Sequence, residues 1–287
     1  MRSRWIGTGL FAQAFLLTAA ALSVPGCGAP IDATTGSVVS DTFKSTAADE
    51  TFDLLIRLPP GYESGTHRHP VVYQLDATFL DEFARSAGTL SRLSAQGAID
   101  EPIVVGIGHR GDQGPMRSRF VDFVPADPQD PRRTGRAAEF YRFLHDELAP
   151  HVEATYRIDP AAGRTLVGHS LGGLMALYAF CQRETDGTPA FRNVLAADPS
   201  YGTNDGVIFA IEGALAAATR SRPGRLFLTA SVYTGGEQKF AHEEMTRRVG
   251  QDFPDLTFRS TYEETTHGGL LQLSMDQGLP FVMGGAK

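Results

Sequence analysis

Short, continuous apolar runs bounded by glycine and proline recur along the chain. They cover residues 51–58, 70–75, 103–107, 164–168, 194–197, 225–229 and 256–258. Pro59-Pro60-Gly61 stops the first of them. Runs this short and this apolar predict strands buried on both faces. Helical periodicity fills several of the gaps. Over residues 134–156, Ala137, Phe140, Tyr141, Leu144 and Leu148 recur at three- and four-residue spacing, which draws one apolar stripe. Residues 171–184 are mostly apolar and predict a helix packed on the sheet, with Cys181 inside it; residues 237–250 predict a polar surface helix. Strands alternating with helices predict an α/β fold, a mostly parallel sheet covered on both faces. Residues 38–58 predict an antiparallel hairpin at its start. No repeat and no second linker interrupts residues 38–287, so they are expected to form one domain.

The N-terminus follows a different pattern. Arg2 and Arg4 precede an apolar stretch, residues 10–24, that is too short to span a bilayer and fits a secretory signal. The stretch ends Leu22-Ser23-Val24-Pro25-Gly26-Cys27. An aliphatic residue and a glycine set this way before cysteine resemble a bacterial lipoprotein processing site. The expectation is a signal over residues 1–26, a lipid on Cys27 and a flexible tether over 27–37, in an exported, envelope-anchored protein. Plain secretion is the alternative.

Composition excludes some classes. With 33 acidic and 26 basic residues the net charge is −7, and no basic run suggests a nucleic-acid surface. Two cysteines do not make a disulfide scaffold. No ligand cluster or phosphate-cradling loop points to a metal or an organic cofactor.

Chemistry centres on Gly168-His169-Ser170-Leu171-Gly172, a G-x-S-x-G motif between a strand run and a helix run. A sharp turn there lifts the serine hydroxyl above the sheet, and small flanking residues let strand and helix approach. The Leu171 amide, at a helix N-terminus, is an expected oxyanion donor. A serine needs a base, and in this arrangement the base follows the last strand. Of eight histidines, His267 in Thr265-Thr266-His267-Gly268-Gly269 has that position. His169 adjoins the serine but is expected to point elsewhere. The acid is expected after the next-to-last strand, which selects Glu237. Glu243, Glu244, Glu263, Glu264 or no acid at all are the alternatives. The second oxyanion donor is expected on the turn Leu75-Asp76-Ala77-Thr78, at the Ala77 amide, with Asp76 bracing the turn. Arg110, Arg117 and Arg119 read as solvated loop charges rather than a basic mouth.

Taken together, these residues resemble the esterase D-type family of α/β-hydrolases over roughly residues 45–284. Leu58–Tyr62, Pro70–Asp76, Ile103–Gly108, Phe143–Pro150, Gly168–Leu174, Asp198-Pro199-Ser200 and His267-Gly268 carry the resemblance. It implies an α/β-hydrolase fold and serine-dependent ester hydrolysis with Ser170 and His267. The siderophore-esterase-like group is the most similar. That group places leucine and two tryptophans after Asp-Pro-Ser, where this chain has Tyr201-Gly202-Thr203-Asn204. Its only tryptophan is Trp5, so a less aromatic pocket is implied. The expected activity is hydrolysis of a small-molecule carboxylic ester through an acyl-enzyme. Acyl transfer by the same residues, or a binding module that keeps the fold without catalysis, are the alternatives.

Overall fold

The structure is a computed structural model that describes residues 36–110, 114–184 and 187–284. The signal expected over 1–26, Cys27 and nearly all of the 27–37 tether lie outside those residues. All seven predicted strands form. The hairpin is formed by β1 (Ser37–Ser45) and β2 (Glu50–Leu58), paired antiparallel from Ser37–Leu58 to Ser45–Glu50. The other strands are β3 (Val71–Gln74), β4 (Ile103–His109), β5 (Arg164–His169), β6 (Asn193–Ala197), β7 (Gly224–Ser231) and β8 (Leu256–Glu263). They make one sheet in the order β1-β2-β4-β3-β5-β6-β7-β8. β2 runs antiparallel to β1 and β4, while all pairs from β4 through β8 are parallel.

Eight α-helices surround the sheet among the described residues: α1 (Leu80–Ala95), α2 (Pro115–Asp122), α3 (Ala137–Arg142), α4 (Ala149–Thr155), α5 (Leu171–Phe180), α6 (Val207–Ala218), α7 (Gly236–Asp252) and α8 (Leu270–Met283). The predicted helix at 134–156 is α3 and α4 joined by a π-helical turn, Phe143–Leu148. Helix α5 stops at Phe180, and Cys181 caps it as a buried free thiol. None of the helices is long and apolar enough to cross a membrane, among the described residues.

Period-two alternation along the strands builds a core on each face. Leu166, Val194, Ala196, Leu226 and Leu228 face one side, with Phe140, Phe143, Leu174, Ile208 and Met245 of the helical layer. Val167, Leu195, Ala197 and Phe227 face the other, against Phe83 and Leu90 of α1 and Met275 and Leu279 of α8. On the first side Phe52 stacks on Phe143 at 4.2 Å between ring centroids and meets Phe140 edge-on at 5.4 Å. Each such ring contributes roughly 1.5–3 kcal/mol through burial. Burial on both faces fixes strand register, because a one-residue slip would exchange the two cores. Rigid strand ends in turn position the loops above their C-terminal edge, where ligands of open α/β sheets bind.

Candidate active site

Ser170 follows β5 at that edge and is the N-cap residue of α5. Its φ of 60° and ψ of −119° are strained for a residue with a side chain. Two bonds hold the turn: the Ser170 amide donates to the Ala197 carbonyl at 2.9 Å, and the Leu174 amide to the Ser170 carbonyl at 2.9 Å. The motif glycines are demanded by space. A Cβ on Gly168 would sit 2.1 Å from the Gly172 carbonyl oxygen, and one on Gly172 would sit 2.8 Å from Asp76 Oδ2. Leu171 is the first residue of α5, so its amide is one of the donors a helix leaves without an internal partner.

His267 begins a short turn, His267–Gly269, between β8 and α8. The Ser231 hydroxyl donates to the Thr265 carbonyl, and the Thr265 amide donates to Glu263 at 2.9 Å, tying this loop to the end of β7. Ser170, Asp198, Ser200, Gly202, Thr203, Thr234, Gln238 and His267 line one open cleft of about 340 Å³. Ser170 Oγ lies 3.5 Å from Ser200 Oγ in it.

The carboxylate that meets His267 is Asp198. His267 Nδ1 and Asp198 Oδ2 are 2.7 Å apart, and Asp198 is only 1% exposed. The Gln238 amide reaches Asp198 Oδ1 at 3.3 Å and the Pro199 carbonyl at 2.6 Å. Asp198 leaves β6 with φ of 43° while its amide donates to Thr229 at 2.8 Å, which turns the side chain toward the His267 loop. This corrects the expectation for Glu237. Glu237 is the second residue of α7 and exposed, and the carboxylate facing His267 is not its own. Three more acids named from the sequence are engaged elsewhere: Glu244 with Arg247 and Arg248, Glu243 with Lys239, and Glu263 with Gln277. The loops after β6 and after β7 both stand beside the β8 end, and the one after β6 carries the acid. A carboxylate directly after a buried apolar strand was the available signal, since buried charge needs a partner.

Ala77 is also corrected. Its amide donates to the Ile107 carbonyl at 3.0 Å, extending the β3–β4 ladder, and so is already used. Asp76 does brace this turn: Arg119 donates to its two oxygens at 2.6 and 2.7 Å. That buried pair removes Arg119 from the set of solvated loop charges, while Arg110 pairs with Asp53 at 3.2 Å.

Two histidines differ from expectation as well. The His169 ring lies 4.4 Å from that of His267, so it does not point away. Burial, and then the neighbouring His267, lower its pKa to about 4, keeping it neutral. His242, on the helix expected to be polar, is fully buried between the Tyr201 hydroxyl at 3.1 Å and the Ser260 hydroxyl at 2.8 Å. Burial lowers its pKa to about 4. No cluster of three or more metal-ligating side chains occurs among the described residues.

A family model described as "Putative esterase" matches residues 45–196. The chain is 29% identical over 147 residues to ferri-bacillibactin esterase BesA of Bacillus subtilis, covering 47% of this chain and 49% of the relative. It is 30% identical over 144 residues to the siderophore triacetylfusarinine C esterase of Aspergillus fumigatus, covering 50% and 48%. The chain thus spans about half the length of the curated relatives it matches. Among solved structures it resembles an IroE-like serine hydrolase from Shewanella oneidensis, with a TM-score of 0.71 and 27% identity over 86% of this chain and 80% of that one. The mixed eight-stranded sheet and this likeness bear out the α/β-hydrolase fold.

Proposed function

The chain belongs to the family described as "Putative esterase", and on that basis we propose that it is a serine esterase in which Ser170, His267 and Asp198 act as nucleophile, base and acid. The observation that carries this is the 2.7 Å contact between His267 Nδ1 and buried Asp198, in the cleft that holds Ser170. Ser170 Oγ attacks the ester carbonyl as His267 Nε2 takes its proton. Collapse of the tetrahedral adduct breaks the carbon–oxygen bond, and His267 returns the proton to the departing alcohol. Water then attacks the acyl-serine by the same route, releasing the acid and restoring Ser170. Asp198 holds the Nδ1–H tautomer and stabilises the imidazolium. The Leu171 amide is one oxyanion donor. The other falls to the Asp76 or Thr78 amide of the 75–78 turn, since the Leu75 and Ala77 amides already donate to Val167 and Ile107.

The names of the two curated relatives support a siderophore ester as the natural substrate class. The leader sequence supports export and a lipid on Cys27; Cys27→Ala should move the protein from the membrane to the soluble fraction, and an unchanged distribution would count against the lipid. Hydrolysis of p-nitrophenyl esters from acetate to decanoate by residues 28–287 tests the activity. Turnover that vanishes in Ser170→Ala is the expected result. Turnover that survives in that variant would refute the proposal.

A further inference from the structure

The sheet ends at β8, and among the described residues β8 pairs with β7 alone. Its 8 residues keep unbroken parallel register with β7 and include no proline or glycine, so its outer edge is a continuous row of backbone groups. Such a row is a template for another strand, and natural edges are commonly blunted by brevity, proline or a bulge. The direction of the groups is fixed. The Glu263 carbonyl accepts from the Val232 amide at 3.0 Å, so Glu263 turns its peptide groups to β7. Along a strand this direction alternates. Thr257, Arg259, Thr261 and Glu263 therefore bond toward β7, while Leu256, Phe258, Ser260 and Tyr262 offer N–H and C=O outward. The two charged side chains of β8 are Arg259 and Glu263. Both are held beside the edge: the Arg259 guanidinium carbon lies 4.8 Å from the Phe281 ring centroid, and Glu263 accepts from Gln277 at 3.1 Å.

We infer that β8 is the surface through which two copies of this chain join, antiparallel about a two-fold axis at Thr261, into one continuous sheet. A two-fold pairing sets outward-facing residues against outward-facing residues, so paired residue numbers are both odd or both even. Of the registers this allows, the one centred on Thr261 sets both charges of β8 against the opposite sign. Arg259 faces the partner's Glu263, and Glu263 faces the partner's Arg259. Ser260 and the partner's Tyr262 exchange backbone hydrogen bonds. Thr261 meets the partner's Thr261 at a non-hydrogen-bonded position, where side chains come closest. The other edge of the sheet lacks this match. The charged residues of β1 are Asp41 and Lys44, one odd and one even, so no two-fold pairing of β1 strands sets them against each other.

Residues 28–287 contain every element of the fold, β1 to α8, and serve for the test. Sedimentation velocity at micromolar concentration should show a dimer. Arg259→Glu and Glu263→Arg each set like charges together on both sides of the axis, and each should weaken dimerisation about tenfold or more. The double variant Arg259→Glu/Glu263→Arg restores opposite signs and should return to within about threefold of the parent. Thermal melts establish that each variant is folded. Cysteine substitution reads the register without altering charge. Thr261→Cys places two Cα atoms about 4.5 Å apart across the axis, within disulfide reach, and should cross-link under mild oxidation. Thr257→Cys lies far from its own copy in this register and should not, while the parent controls for buried Cys181. A parent that stays monomeric would overturn the interface. So would a dimer that neither reversal weakens, a loss that the double variant fails to restore, or equal cross-linking in the two cysteine variants.

Discussion

Asp198→Asn changes one atom of the proposed site and leaves its shape intact. In the parent, Asp198 Oδ2 faces His267 Nδ1 at 2.7 Å, and Gln238 donates to Oδ1 at 3.3 Å. The Gln238 donor keeps the asparagine carbonyl oxygen at the Oδ1 position. The asparagine NH2 is thereby turned toward His267. Two donors cannot share that contact, so Nδ1 must become the acceptor and the proton moves to Nε2. Nε2 is then unable to take the proton of Ser170. The equivalent change in a serine protease triad lowers kcat about ten-thousandfold. The His267 side chain is 49% exposed, so water can partly replace the lost partner. We therefore expect a loss of about one-thousand- to ten-thousandfold, about 4–5.5 kcal/mol in the barrier. Steady-state kcat on p-nitrophenyl acetate, with circular dichroism and a melt to confirm the fold, provides the measurement. Glu237→Gln, measured beside it, should cost less than about tenfold. A loss under about tenfold in Asp198→Asn would rule out this role for Asp198, and a collapse in Glu237→Gln would return the acid to α7.

Further outcomes rest on other parts of the molecule. His169→Phe keeps a ring against His267, 4.4 Å away in the parent, but removes the imidazole nitrogens. It should lower kcat about tenfold with KM moved less than about twofold, whereas a larger change in KM than in kcat would argue against a positioning role. Phe143→Ala opens the aromatic cluster around Phe52 and should cost about 3–5 kcal/mol, read as a shift in the urea unfolding midpoint; under about 1 kcal/mol would contradict the packing described. His169 and His242 both have folded pKa values lowered to about 4 from the ordinary value of 6.5, so the unfolded chain binds protons that the folded chain refuses. Their stabilising contribution is complete above the unfolded value and is lost as pH falls from 6.5 toward about 4. Each histidine contributes a slope of up to about 1.4 kcal/mol per pH unit there. Melts at a series of pH values should show Tm falling across this window, with a shallower fall in His242→Gln; an equal slope in that variant would contradict the assignment.

The sheet was legible because its strands are buried on both faces. Ile103–Ile107 and Arg164–Gly168 have no polar face to obscure them, and both become strands. Ser170 was legible because the glycines of its motif answer to short contacts with local backbone and with Asp76. His267 was legible by chain order, since only it follows the last strand in the expected place. Asp198 was harder. Three adjacent parallel strands end together, and chain order alone does not say which neighbouring loop turns toward the histidine. The bond from the Asp198 amide to Thr229 decides it, and that bond joins residues distant in sequence. Ala77 failed for a related reason: whether its amide is free depends on whether the β3–β4 ladder continues one step to Ile107. His242 looked solvated because its helix is rich in charge, yet one polar ring is buried where Tyr201 and Ser260 supply its partners.

Whether Ser170 is an activated nucleophile can be read with an alkyl fluorophosphonate. The reagent modifies a serine only where a base removes its proton and donors hold the developing oxyanion. Intact-mass and peptide mapping should find one adduct per chain, on the peptide that holds Ser170, and none in Ser170→Ala or His267→Ala. Failure of the parent to label, or an adduct on another serine, would contradict the assignment of Ser170 as the nucleophile.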